Sequence, residues 1–133
     1  MGKAIGIGGV FIHLKGEEKE LFDWYEKHLG MDFSSYGSGF TTGKQLMIIS
    51  FKRSDNPKLP LINLRVDDIE SIINDLKNEK IEIISDITDY DYGKFATFID
   101  PFDNPIELWE ANEEKYIEMV KKELEDYKTN RSN

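Results

Sequence analysis

Residues 98–110 read Phe-Ile-Asp-Pro-Phe-Asp-Asn-Pro-Ile-Glu-Leu-Trp-Glu. Apolar residues up to Ile99, and again from Ile106, form two arms of a hairpin, with Asp, Pro and Asn gathered in the turn between them. Side chains alternate along a strand, so Ile106 and Leu108 share one face of the second arm while Glu107 and Trp109 share the other. The apolar face is the one that packs on a helix. The face with the carboxylate points the other way. Residues 61–66 behave alike, with Ile62, Leu64 and Val66 toward a helix and Leu61, Asn63 and Arg65 inward.

Working outward, residues 67–68 (Asp-Asp) start a helix whose Ile69, Ile72, Ile73 and Leu76 recur at helical spacing. Strands at 81–84, 95–99 and 106–110 follow. The same order appears upstream. Residues 4–15 are β-branched and dotted with glycine. Gly16-Glu17-Glu18 then opens a helix carrying Leu21, Phe22, Trp24, Tyr25, His28 and Leu29, with Gly30 at its end. Short runs at 31–36, 40–42 and 46–51, split by Gly37-Ser38-Gly39 and Gly43-Lys44, read as hairpin-linked strands. Leu21, Phe22 and Tyr25 stand 51 residues before Ile72, Ile73 and Leu76, which marks an internal repeat. The expected division is a first βαβββ module at 1–52, a connector at 53–60, a second module at 61–112, and a C-terminal helix and tail at 113–133, all in one α+β domain. Ile117, Val120, Leu124 and Tyr127 form the apolar stripe of that last helix, read as packing on its own domain.

The composition excludes several functions. The 133 residues carry a formal charge of −9 and no cysteine. Disulfides, thiolate nucleophiles and Cys-ligated metals are ruled out. An acidic chain is repelled by polyanions, so nucleic acid and acidic membrane surfaces are not expected partners. No apolar stretch reaches bilayer length and no secretion signal is visible, so a cytoplasmic location is the expectation. Gly6 and Gly8 begin a dinucleotide-type pattern that fails at Phe11. The acidic run 86–93 (DITDYDYG) lacks the glycine and glutamate of a calcium loop and reads as a solvated turn.

The phrase DWYEKHLGM after the first strand and FIDPFDNPIELWE at the last hairpin resemble the vicinal oxygen chelate superfamily, which includes glyoxalase I, bleomycin-resistance proteins and extradiol dioxygenases. Trp24-Tyr25 and Leu29-Gly30 match its first helix. Asp100, Pro101, Asn104, Ile106, Glu107 and Leu108 match its last hairpin, and Asp103 departs where glycine is usual. The resemblance covers about residues 5–110. It implies two βαβββ modules forming a half-open eight-stranded barrel with helices outside, and a divalent metal held by ligands from the terminal strands of each module.

For strand one, the register that avoids burying Lys15 puts Val10, Ile12 and Leu14 in the core and Phe11, His13 and Lys15 in the cavity. The superfamily's ligand position then falls on Gly9, with His13 four residues, roughly 13 Å, beyond it. Of the ligand positions only Glu107 carries a donor; the fourth-strand candidates are Ile48 and Ile49, and the second module offers Pro60 or Leu61. The chain has two histidines, and His28 reads as a helix-end residue that caps the dipole or faces solvent. No metal or other cofactor is expected, with Glu107 the ligand if one binds. The remaining cavity comprises Phe11, His13, Lys15, Asn63, Arg65, Glu107 and Trp109, with Tyr90 or Tyr92 from the 86–93 segment. For Glu107 three roles stay open: an ion pair with Arg65, a general base or ligand anchor with His13 as partner, and a metal ligand. Arg65 with Lys15 offers a receptor for an anion. The leading expectation is a binding module of the bleomycin-resistance kind that takes a small aromatic or anionic molecule, as a homodimer. The alternatives are a metal-dependent lyase or isomerase of glyoxalase type using Glu107, and a non-catalytic protein-interaction module.

Overall fold

Hydrophobic periodicity and capping decide the helices. The structure is a computed structural model that describes residues 2, 10, 12–34, 39–40, 46–48 and 59–132, with residues 131 and 132 described by backbone alone. Helix α1 (Glu18–Leu29) is capped by Glu17, whose carboxylate accepts the Glu20 N–H at 3.0 Å, and it stops at Gly30 in the left-handed conformation. Strands β1 (Asp32–Phe33) and β2 (Gly39–Phe40) pair antiparallel, and Phe33 stacks on Phe22 of α1 with ring centroids 4.3 Å apart.

The second module is described throughout. It runs β3 (Ile62–Arg65), α2 (Ile69–Asn78), β4 (Glu82–Tyr90), β5 (Gly93–Ile99) and β6 (Pro105–Ala111), and the sheet order is β3-β6-β5-β4. β3 lies parallel to β6, and the other pairs are antiparallel. The outer strands β3 and β4 are therefore joined by α2, capped by Asp68 on the Ser71 N–H. Ile69, Ile73 and Leu76 of α2 are buried together with Ala96, Phe98, Ile106 and Leu108, the apolar sheet face, and with Tyr25 of α1. Burying each of the larger side chains stabilises the fold by about 1.5–3 kcal/mol. Among the described residues no helix is long and apolar enough to cross a membrane.

The structure departs from the sequence reading in several places. Residues 86–90 belong to β4 and not to a solvated turn. Their acidic side chains disguise a strand in which Ile83 and Ile87 pack against the core across two register shifts. Asp86 is held by the Lys77 ammonium at 2.6 Å, which together with the Ile87 N–H keeps its carboxyl below the usual range. Six strands are found among the described residues, where eight were expected. Residues 12–15 and 46–48 carry no strand, and most of the rest of strand one, the 40–42 and 46–51 runs and the connector lies outside the described residues. Leu14 packs against the core as expected, whereas Val10 and Ile12 are exposed. His28 does not face solvent: its side chain is only 9% exposed, lies against Trp24 and meets Glu79 at the end of α2.

Helix α3 (Glu113–Ser132) also differs in detail. Asn112 caps it, accepting the Lys115 N–H. Its anchor is Tyr116, buried edge-on to Trp109, while Ile117, Leu124 and Tyr127 of the expected stripe are exposed. Tyr116 meets the sheet because the helix begins directly after β6, which fixes its first turn over the end of that strand.

The β5–β6 turn ties these parts together. Asp100, 3% exposed, accepts the Phe102 and Asn104 N–H groups on one carboxylate oxygen (2.9 Å each). Its other oxygen accepts the Tyr25 hydroxyl at 2.7 Å and the Asn104 amide at 2.9 Å. Asn104, 1% exposed, accepts the Lys15 N–H at 2.7 Å and donates to the Lys15 carbonyl at 2.8 Å. Asp103 has φ 73°, the left-handed conformation that glycine adopts freely and Asp tolerates.

Asn104→Ala strands both Lys15 backbone groups and is expected to cost about 2–4 kcal/mol in urea unfolding, against about 1–2 kcal/mol for Tyr25→Phe. Burial, and then the Asp100 hydrogen bond, raise the Tyr25 pKa well above the ordinary tyrosine value. The folded chain thus holds a proton that the unfolded chain releases above about pH 10. This contribution is complete below that pH and is lost as pH rises further. The urea midpoint should fall between roughly pH 9.5 and 11, and less steeply in Tyr25→Phe.

Candidate functional site

The face of the second sheet away from α2 collects the polar and aromatic side chains. The parallel register sets Asn63 opposite Glu107 and Arg65 opposite Trp109. The antiparallel register on the other side sets Thr97 opposite Glu107, Phe95 opposite Trp109, Ser85 opposite Thr97 and Thr88 opposite Phe95. Glu107 therefore sits mid-sheet among short polar residues. Its Oε1 accepts the Asn63 amide at 2.7 Å.

An aromatic row crosses the same face. Tyr90 and Tyr92, from the β4–β5 hairpin, stack with centroids 5.4 Å apart, and Phe95 meets both edge-on. Phe95 in turn stacks on Trp109 at 5.2 Å. Trp109 is held from above by the Arg65 guanidinium, 4.4 Å from its ring centre, and edge-on by Tyr116. A partly desolvated cation over indole stabilises by about 1–2 kcal/mol. Burial raises the Tyr116 hydroxyl pKa, and the nearby Arg65 charge opposes that rise. The Trp109 indole N–H donates to the Tyr92 carbonyl at 3.1 Å, which fixes the ring. Gly93 makes this possible: at φ 135° a Cβ would lie 2.4 Å from the indole nitrogen and 2.5 Å from the Glu110 carbonyl.

Tyr90, Tyr92, Phe95, Ser85, Thr88, Thr97 and Glu107 line an open cleft of about 280 Å³. Beyond the tyrosines, the hairpin and α3 bound a wider groove of about 630 Å³ lined by charges of both signs, Lys115 and Lys122 with Asp89, Asp91 and Glu118. Asn63, Arg65, Glu107 and Trp109 thus share one face, as their alternation requires. The Arg65–Glu107 ion pair does not form, because Arg65 lies one pleat further along β3. Its guanidinium bonds Glu113 at the start of α3 and the Leu46 carbonyl. Lys15 is placed at the β5–β6 turn, where its ammonium meets Asp103 at 3.2 Å. That level is about 17 Å along β6 from Trp109, so Lys15 and Arg65 do not converge on one anion. His13 is exposed, two residues before the Asn104 contacts of Lys15. Phe11 lies outside the described residues. The sequence reading missed Ser85, Thr88, Phe95, Thr97 and Tyr116. Alternation from Phe98 back along β5 carries the signal for Thr97, although Phe95 reads equally well as core.

A family model described as Glyoxalase/Bleomycin resistance protein/Dioxygenase superfamily matches residues 18–108. The chain belongs to this superfamily. No curated protein matches it significantly. Among solved structures it is similar to TnmS3, an antibiotic binding protein from Streptomyces sp. CB03234, at 18% identity and TM-score 0.54, covering 84% of this chain and 100% of that one. A glyoxalase/bleomycin resistance protein from the same organism gives 18% identity and TM-score 0.47, covering 73% of this chain and 94% of the other.

The metal chemistry that the superfamily resemblance implies requires several N/O donors converging on one ion. Among the described residues of this member no three His, Asp or Glu side chains come together. The amino acids outside them add one carboxylate, Asp55, and no histidine. Glu107 already holds a neutral amide and has hydroxyls and aromatic rings for neighbours. Among the described residues lining the cleft, Glu107 is the one carboxylate, and no imidazole accompanies it.

Gly93→Ala should displace Trp109 and cost about 2 kcal/mol or more. Its readouts are a lowered urea midpoint and red-shifted tryptophan emission.

Proposed function

We propose that this superfamily member is a binding protein that takes a small aromatic molecule into the cleft above Glu107, without a resident metal. In this reading two βαβββ modules form a half-open eight-stranded barrel, and the protein works as a homodimer. The observation that carries the reading is the unbroken aromatic row from Tyr90 to Trp109 beside one orienting carboxylate. Such walls supply area for affinity, and a few polar groups fix orientation. The fold shared with an antibiotic binding protein supports it. Glu107 serves in this reading as ligand anchor, with Asn63 setting its rotamer. Arg65 acts through Trp109, holding the ring that stacks behind Phe95 of the cleft wall.

The test is a thermal-shift and tryptophan-quenching screen of EDTA-dialysed protein against one- and two-ring aromatic compounds. At ligand concentrations about 100 times Kd, stabilisation of about 2.7 kcal/mol is expected. Trp109→Ala should abolish it. Binding that appears only after adding Zn, Ni, Mn or Fe, and is lost in Glu107→Gln, would favour a glyoxalase-type metal site instead.

A further inference from the structure

We infer that the cleft selects a planar aromatic cation, with its positive group against Glu107. The inference rests on the binding reading above and narrows the ligand's chemistry. Among the described residues lining the cleft, Glu107 is the one acidic or basic side chain; the others are hydroxyls, aromatic rings and Ala96. Its hydrogen-bond partner, Asn63, is neutral. That amide donates to one oxygen and brings no positive charge of its own. Among the described residues, three basic side chains of the sheet and α2 are paired elsewhere, and Lys115 and Lys122 line the neighbouring groove and not the cleft. Arg65 bonds Glu113 and the Leu46 carbonyl with its face on Trp109, Lys94 bonds Glu70 across the opposite sheet face, and Lys77 bonds Asp86.

Three consequences follow for an occupant. An anion is repelled by Glu107, the one charged side chain among the described lining residues. A metal ion finds no second carboxylate or imidazole among them. An organic cation with N–H groups both neutralises Glu107 and donates to its free lone pairs, a charge-assisted bond stronger than a neutral one. The electron-rich rings of Tyr90, Tyr92 and Phe95 line the same cleft and favour a flat, positively charged ring beside them. At about 280 Å³ the space suits a one- or two-ring molecule.

The experiment compares three nearly isosteric probes, benzamidinium, benzamide and benzoate, by titration calorimetry on EDTA-dialysed protein near neutral pH. Benzamidinium should bind at least about tenfold more tightly than benzamide, with benzoate weakest. Glu107→Gln should weaken benzamidinium about tenfold and leave benzamide within about twofold. Equal affinities, a preference for benzoate, or a cation preference that survives Glu107→Gln overturns the charge assignment while leaving an aromatic site. Failure of all three probes to bind at millimolar concentration overturns the site as well. The probe comparison on the unaltered protein needs no variant to fold.

Discussion

Everything in this structure is registered against the Asp100 carboxylate. Its two oxygens accept four hydrogen bonds, from the turn that starts β6, from the Asn104 amide and from the Tyr25 hydroxyl on α1. Asn104 then clamps both backbone groups of Lys15. A segment before α1, the helix itself and the last hairpin are thus fixed to one buried anion. That anion is tolerable because its partners are donors in place before any ligand arrives. β6 inherits its position from this turn, and every residue of the cleft is positioned through the strand registers that radiate from β6.

The site reads as the other side of the same strand. Ile106 and Leu108 fix one face of β6 in the core, so Glu107 and Trp109 have no choice of direction. Their neighbours follow from register. Asn63 reaches Glu107 and Arg65 reaches Trp109 because β3 runs parallel to β6 with residue 63 opposite residue 107. A shift of one residue would exchange the apolar and polar faces of β3 and break the core. The Asn63–Glu107 and Arg65–Trp109 pairs are therefore products of hydrophobic packing before they are features of a binding site.

How far the sequence carries this picture differs by element. Helices α1 and α2 and strands β3, β5 and β6 are legible because periodicity, caps and alternation agree there, and Gly30 and Asp68 mark ends that the backbone respects. β4 was half hidden: its bulges break the two-residue period, and Asp86, Asp89 and Asp91 imitate a loop. Partner choice was less legible than face. Arg65 and Glu107 are both inward and oppositely charged, yet only the strand register, which alternation alone leaves open, shows that they miss each other by a pleat. The α3 anchor escaped for a related reason. Tyr116 stands four, eight and eleven residues before Val120, Leu124 and Tyr127 and so continues their stripe, but only this first-turn member is buried, where β6 delivers the chain.

The long outer strand β4 has an implication for solution behaviour. Among the described residues β4 has a strand on one side only; such edges offer unpaired amides to other chains, and this one spans nine residues. It meets that hazard with exposed Glu82, Asp86 and Asp89, two irregularities that bend its rim, and a formal charge of −9 over the whole chain. These features oppose fibril-like stacking of one copy on the next. The acidity that hid the strand from a reader of the sequence also disfavours pairing of further copies along it.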